Sequence, residues 1–365
     1  MKAEGLWKRI GTGLTVLSFL FGCSDRGSHA SRASQTALSP IGFVGDSLDL
    51  AYPGYLELIG ETMVVGDIVH EYRVAVFDMR SRSLTMRFGR NGAGPGEVRA
   101  LWGIFVDASD STKIWVHDDT ESRMSQFALN RTPGTGTFVR SLRVNLWNAD
   151  GAVTGVWFTP KGAVLGGRFR SGGLLLADSM GAEILTRVPG SPPYSAADYA
   201  DPVVLKGANE YSLVLRPDLS FAALVYWHAA QVDMINLSTG AVVSAMGPRT
   251  VPAPAVGAYP GGAARLGNPP DEPLIYAHRV MVTASQRYVY VAFCGCRARE
   301  LLAHNEPHIV HVYSWAGEFV TEIQLDRAIG NIEVSPDDSL LYAIIFDPFP
   351  AIAVYALPGF PHAGR

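Results

Sequence analysis

From about Ile41 to Leu357 the chain alternates short apolar runs with clusters of Gly, Pro, Asp, Asn and Ser. Each run is about five to eight residues, the usual length of a strand. Tyr55–Ile59, Thr62–Val65, Tyr72–Asp78 and Leu84–Phe88 form a first group of four. Trp102–Asp107, Lys113–Asp118, Arg123–Phe127 and Phe138–Leu142 form a second. Val74–Asp78 answers Ile114–Asp118, each a β-run ending in an aspartate that opens a turn. Similar groups recur, giving units at 54–89, 101–143, 153–188, 202–246, 274–326 and 329–357. Units of four short strands cannot bury both faces alone and must stack around an axis, so the pattern predicts an all-β, six-bladed β-propeller of four-stranded antiparallel blades over residues 41–357. The last unit shows three strands, and Ile41–Leu50 is expected to supply the fourth and close the ring. Gly247–Asp271, crowded with Pro and Gly, reads as a long loop rather than a seventh blade, and 358–365 as a C-terminal tail.

Composition agrees with a β-rich chain: 38 Gly, 23 Pro and only 18% charged residues leave little material for solvated helix faces. The formal charge of -4 carries no basic surplus, which sets nucleic acid aside as a partner. The first 22 residues differ from the rest. Lys2, Lys8 and Arg9 precede the apolar run Ile10–Gly22, which is shorter than the ~20 residues that span a bilayer and has the layout of an export signal. Its end, Leu20-Phe21-Gly22-Cys23, resembles the lipobox of bacterial lipoproteins. That resemblance implies cleavage after residue 22 and acylation of Cys23; the competing reading is an uncleaved anchor with a chance cysteine. Ser24, in place of an Asp, resembles the pattern sent on to the outer membrane. Residues 23–40 then read as the lipidated cysteine and a flexible Ser/Ala-rich tether.

The stretch Phe88-Gly89-Arg90-Asn91-Gly92-Ala93-Gly94-Pro95-Gly96-Glu97 raises the question of phosphate binding. Its glycine spacing is one residue short of a dinucleotide fingerprint, no Gly-Lys-Ser/Thr follows, and Val98–Val106 is β-prone, so no helix N-terminus is available for an anion. The stretch reads as a crossover between blades, its glycines supplying positive φ. Placed after a first four-strand unit, it resembles the 6-bladed (TolB-like) β-propeller lipoproteins of environmental and gut bacteria, and Ser335-Pro336-Asp337-Asp338 resembles the turns of that broad group. The resemblance implies the fold and a cell-envelope location, and leaves activity open.

Candidate chemistry is sparse. Cys294-Gly295-Cys296 admits a local disulfide, two free thiols or half a metal site, with His304, His308 and His311 nearby. Asp78, Asp107, Asp118, Asp119 and Asp347 end β-runs; calcium-dependent propeller hydrolases resemble such an arrangement, which would make Asp107, Asp118, Asp119 and Asp347 candidate metal ligands, although each also serves as an ordinary turn residue. Tyr226-Trp227-His228 lies in a β-run and reads as packing. No nucleophile elbow, zincin helix or calcium loop is present. Two functions follow. The first is a non-enzymatic, lipid-anchored propeller, without a cofactor, that binds an envelope protein, peptide or saccharide. The alternative is a propeller hydrolase or lyase with calcium or another divalent ion in its channel.

Overall fold

In a computed structural model of the chain, the described residues are 37–45, 49–129, 136–143, 147–148, 151–169, 172–179, 181, 183–258, 264–266, 274–275, 281–297 and 308–360. Strand β1 (Gly42–Val44) stands apart from the sheet that follows it in sequence. Blade I comprises β2 (Pro53–Ile59), β3 (Thr62–Asp67), β4 (Tyr72–Asp78) and β5 (Ser83–Arg90). Blade II comprises β6 (Leu101–Val106), β7 (Lys113–Asp118), β8 (Arg123–Ala128) and β9 (Thr137–Arg143). Blade III has a fifth strand: a two-residue β10 (Trp147–Asn148) precedes β11 (Gly151–Thr159), β12 (Gly162–Phe169), β13 (Leu174–Ala177) and β14 (Ile184–Val188).

Blade IV is reached through α1 (Pro202–Ala208), the single helix among the described residues. Asp201 accepts from the Val203 and Val204 amides at 2.7 and 3.3 Å and Pro202 opens the first turn, so the helix that the β-reading of 202–246 missed carries a conventional N-terminal signature. The blade itself is β15 (Tyr211–Leu215), β16 (Phe221–Tyr226), β17 (Gln231–Asn236) and β18 (Val242–Met246). The predicted loop at 247–271 is only partly a loop, since β19 (Val256–Ala258) pairs with β20 (Ala264–Leu266) and Leu266 packs on Val204 and Ala208 of the helix. A side ladder of β21 (Leu274–Ile275) and β24 (Cys296–Arg297) flanks blade V, whose sheet is β22 (Val282–Ala284), β23 (Tyr288–Phe293), β25 (Ile309–Ser314) and β26 (Phe319–Gln324). Blade VI is β27 (Ile332–Val334), β28 (Leu340–Ile345) and β29 (Ala351–Ala356), with β1 as its outermost strand.

Strand β1 pairs antiparallel with β29, Gly42 facing Val354 and Val44 facing Ile352. The chain engages the sheets still earlier. Leu38, assigned to the tether by sequence, donates to Gln324 O at 2.8 Å and accepts from Asp326 N at 3.0 Å, bridging the outer strand of blade V. These backbone groups need partners once they leave water, and the neighbouring strand ends supply them.

Apolar clusters run between neighbouring blades. Val74, Val76 and Phe88 of blade I meet Ile104, Ile114 and Phe127 of blade II, and Tyr342, Ile344 and Ile352 of blade VI meet Leu56, Met63 and Ala75 of blade I. Middle strands such as β3 and β23 are buried along almost their whole length because a neighbouring blade covers each face. Only outer strands such as β9 are largely open to solvent. The result is a six-bladed β-propeller, and its first strands are the ones that face the axis.

The glycine-rich stretch does join the outer strand of blade I to the first strand of blade II. Gly89 and Gly96 take positive φ, 66° and 76°. Gly92 and Gly94 are constrained otherwise: the Glu97 carboxylate folds back to accept the Gly94 amide at 2.7 Å and occupies the space a Cβ would need at either position. Arg123 closes the loop by donating to the carbonyls of Ala93 and Glu97.

Candidate functional site: the central channel

Successive residues of a strand point to opposite faces of its blade, so a first strand packs one set of side chains toward each neighbouring blade, and its place nearest the axis lets both sets reach the central cavity. In β2, Leu56 is buried and Tyr55 and Glu57 are half-buried; in β27, Ile332 and Val334 are buried and Glu333 is half-buried, and all six line the cavity. Together β2, β6, β11, β15, β22 and β27 enclose a cavity of about 520 Å³. It reaches the turns that link the first and second strands, including Pro217, Gln286 and Pro336.

The two sides of this cavity differ in chemistry. Blades II and III supply aromatic surface: Trp102, Phe105 and Trp157 line it, and the Phe105 and Trp157 rings meet edge to face with centroids 4.9 Å apart. Blades I and VI supply Glu57 and Glu333. Removal from bulk water raises the Glu57 pKa well above the usual carboxyl range, and the nearby Glu333 raises it further. Glu333 is itself pushed up to about 8 by desolvation, against the pull of hydrogen bonds from Thr283 Oγ1 at 2.9 Å and the Val334 amide at 3.2 Å. Among the described residues neither glutamate is ion-paired with a Lys or Arg. Among the described residues the one cation on the cavity wall, Arg216, donates to Gln286 O at 3.0 Å and lies 3.6 Å from Asp218.

The aspartates proposed as metal ligands are not brought together. Asp107 and Asp118 sit at opposite ends of the β6–β7 ladder, Asp119 is exposed in the next turn, and Asp347 is exposed beyond β28. Asp107 lines the cavity, but Trp115 Nε1 at 2.9 Å and Gln126 Nε2 at 2.5 Å hold one oxygen and Ser109 holds the other. Asp118 accepts the Arg99 and Ala100 amides at 2.8 and 3.2 Å. Among the described residues no three His, Cys, Asp or Glu converge as a metal site. Among the described residues the Asp78 carboxylate bonds within its own turn, to the Ser81 amide and hydroxyl, and those bonds lower its pKa.

The pairing of Val74–Asp78 with Ile114–Asp118 is corrected by the register. Tyr72–Asp78 is the third strand of blade I and Lys113–Asp118 the second strand of blade II; the counterpart of Asp118 is Asp67, at the end of β3. Cys294 and Cys296 are joined as a disulfide with Cα atoms 5.0 Å apart, Gly295 between them at φ 57°. His308 is exposed, His311 is fully buried within blade V, and Cys23, His304 and the export signal lie outside the described residues. Trp227 donates to Ser212 Oγ at 2.9 Å, the packing role expected of that run.

Glu57 and Glu333 were missed. Their signal is an acidic residue at an axis-facing position of a first strand, in Tyr55-Leu56-Glu57-Leu58-Ile59 and Ile332-Glu333-Val334, where nothing requires a turn or a solvated face. Recognising it needs to know which strand of each blade comes first, and the mismatched aspartates show that sequence did not settle that.

The architecture is that of a closed-ring propeller with an amphipathic central cavity. No protein-family model and no curated protein matches the sequence. Solved structures do match: a member of the DUF4221 family from Bacteroides vulgatus, 12% identical with a TM-score of 0.53 over 89% of this chain and 96% of that one. Raptor from Chaetomium thermophilum is 11% identical with a TM-score of 0.50 over 88% of this chain, which spans 28% of that protein. At such identities the likeness is one of fold, and function has to be argued from the channel.

Proposed function

We propose that the protein is a lipid-anchored binding module of the bacterial cell envelope, akin to the TolB-like lipoprotein propellers, which captures a ligand in its central channel without transforming it. The observation that carries the reading is the cavity itself. At about 520 Å³ it falls in the range of small-molecule sites, and it combines aromatic walls with a few convergent polar groups. Its ligand is a small molecule or the end of a peptide or saccharide chain. The anchor rests on Cys23 and the apolar run before it.

Two measurements test the proposal. Cys23→Ala is expected to move the protein from the membrane to the soluble fraction; continued sedimentation with membranes would remove the anchor. A thermal-shift screen of the mature chain against peptides, saccharides and amines is expected to yield hits that weaken in Trp157→Ala. Hits indifferent to that change would place binding outside the channel.

A further inference from the structure

The two glutamates set a requirement that the described residues do not meet. They come from neighbouring first strands, β2 and β27, at the seam between blades I and VI, and both face the cavity. Among the described residues Glu57 receives no hydrogen bond and no cation; its electrostatic partner is another carboxyl. Glu333 has one hydroxyl and one amide donor, both on the same oxygen. Both are half-buried, and a carboxylate partly withdrawn from water without a counter-charge is costly, while a second beside it adds repulsion. The fully buried acids of the described residues are provided for. Asp233 accepts from Ser191 N, Tyr226 Oη, Gln231 Nε2 and Ser244 Oγ, and Asp338 from Arg287 Nε and Tyr290 Oη, each at 2.7–3.0 Å. The channel pair is the exception, and it faces open space.

The same cavity is lined by Trp102 and Phe105 of blade II and Trp157 of blade III. Aromatic faces attract cations and cover apolar groups, whereas a metal ion needs a shell of oxygen ligands that this side of the cavity lacks. Charge and surface together favour a positively charged head against the carboxyls and an apolar body against the rings. Building on the channel-binding function proposed above, we infer that the cavity is a site for a small organic cation, an amine with an apolar body, whose charged nitrogen is held by Glu57 and Glu333 and whose body packs on Trp157 and Trp102.

The test is calorimetric titration of the mature wild-type protein with benzylamine, its neutral twin benzyl alcohol, glucose and calcium chloride. Benzylamine is expected to bind at least tenfold more tightly than benzyl alcohol. Glu57→Gln, Glu333→Gln and Trp157→Ala should each weaken it at least tenfold, with melting curves confirming that the variants are folded. Benzylamine binding unchanged in both glutamine variants, or calcium binding more tightly than benzylamine, would overturn the inference. Glucose or benzyl alcohol binding as well as benzylamine and depending on Trp157 would reject the cation and keep the channel reading. No binding by any of the four at about 10 mM would reject both.

Discussion

Asp67 and Asp118 hold the same place in neighbouring blades. Each ends the second strand of its sheet, is fully buried, and accepts two backbone amides from the segment leading into the first strand of its own blade. Asp67 takes the Ala51 and Tyr52 amides at 2.7 and 3.0 Å, and Asp118 takes those of Arg99 and Ala100 at 2.8 and 3.2 Å. Bonds to a buried carboxylate are stronger than neutral ones, so each aspartate fixes where a channel-lining strand begins.

Asp118→Ala is therefore expected to lower the unfolding free energy by about 2–4 kcal/mol, since it orphans two part-buried amides and the Arg123 guanidinium 3.4 Å away as well as removing a charge. Asp78→Ala, which loses only bonds within an exposed turn, should cost less than about 1 kcal/mol. Denaturant titrations of both variants give the comparison. Equal costs would reduce Asp118 to a turn residue like Asp78.

The fold was legible because strand length, turn chemistry and apolar runs repeat around the ring. Position within a blade was not. The second and third strands are both covered on two faces, so Thr62–Asp67 and Tyr72–Asp78 show the same apolar run ending in Asp, and periodicity cannot rank them. That ambiguity matched Asp118 with Asp78 instead of Asp67. It also hid Glu57 and Glu333, whose meaning depends on lying in first strands. The helix at Pro202–Ala208 was obscured differently: seven residues are too few for a period to show, and only the Asp201-Pro202 start marks it.

The N-terminal pairing makes a separate prediction. Removing residues 1–36 should leave the melting temperature of the remaining chain nearly unchanged, whereas removing 1–45 deletes β1 and the Leu38 bridge and uncovers the edge of β29. An exposed edge beside apolar faces invites pairing between molecules, so the longer truncation should melt lower and scatter light on heating. Equal behaviour of the two would show that β1 contributes nothing to the last blade.

His311 predicts an acid-sensitive component of stability. It is fully buried, stacked on Phe293 with ring centroids 4.9 Å apart, and burial lowers its pKa to about 4 against the pull of Glu322, whose Oε2 lies 3.3 Å from its Nε2; the Arg249 charge paired with Glu322 lowers it a little further. A histidine whose folded pKa is depressed contributes stability that is fully present above its unfolded value near 6.5 and is lost as pH falls toward about 4. The loss is on the order of 2 kcal/mol. His311→Gln should remove this slope, so the difference between variant and wild type shrinks or reverses between pH 7 and pH 4.5. A constant difference across that range would mean that His311 does not titrate differently on folding.

The channel glutamates run the other way. Their folded pKa values are raised, so their contribution is fully present below the ordinary value near 4.5 and is lost as pH rises toward about 8, when the half-buried pair must give up protons beside each other. Among the described residues the other charged groups lining the cavity, Asp107 and Arg216, are already held by Trp115 and Gln126 and by Gln286, and do not relieve the pair. Glu57→Gln removes one charge and its repulsion while keeping the shape of the side chain. Without ligand, the variant should gain on wild type as pH rises from 5 to 8, by on the order of 1–2 kcal/mol, because only the wild type must ionise both carboxyls. Melting temperatures at pH 5, 6.5 and 8 measure that gain. A gap that stays flat or narrows over this range would show that Glu57 and Glu333 ionise freely in the channel, and that their separation from water is weaker than the packing around them implies.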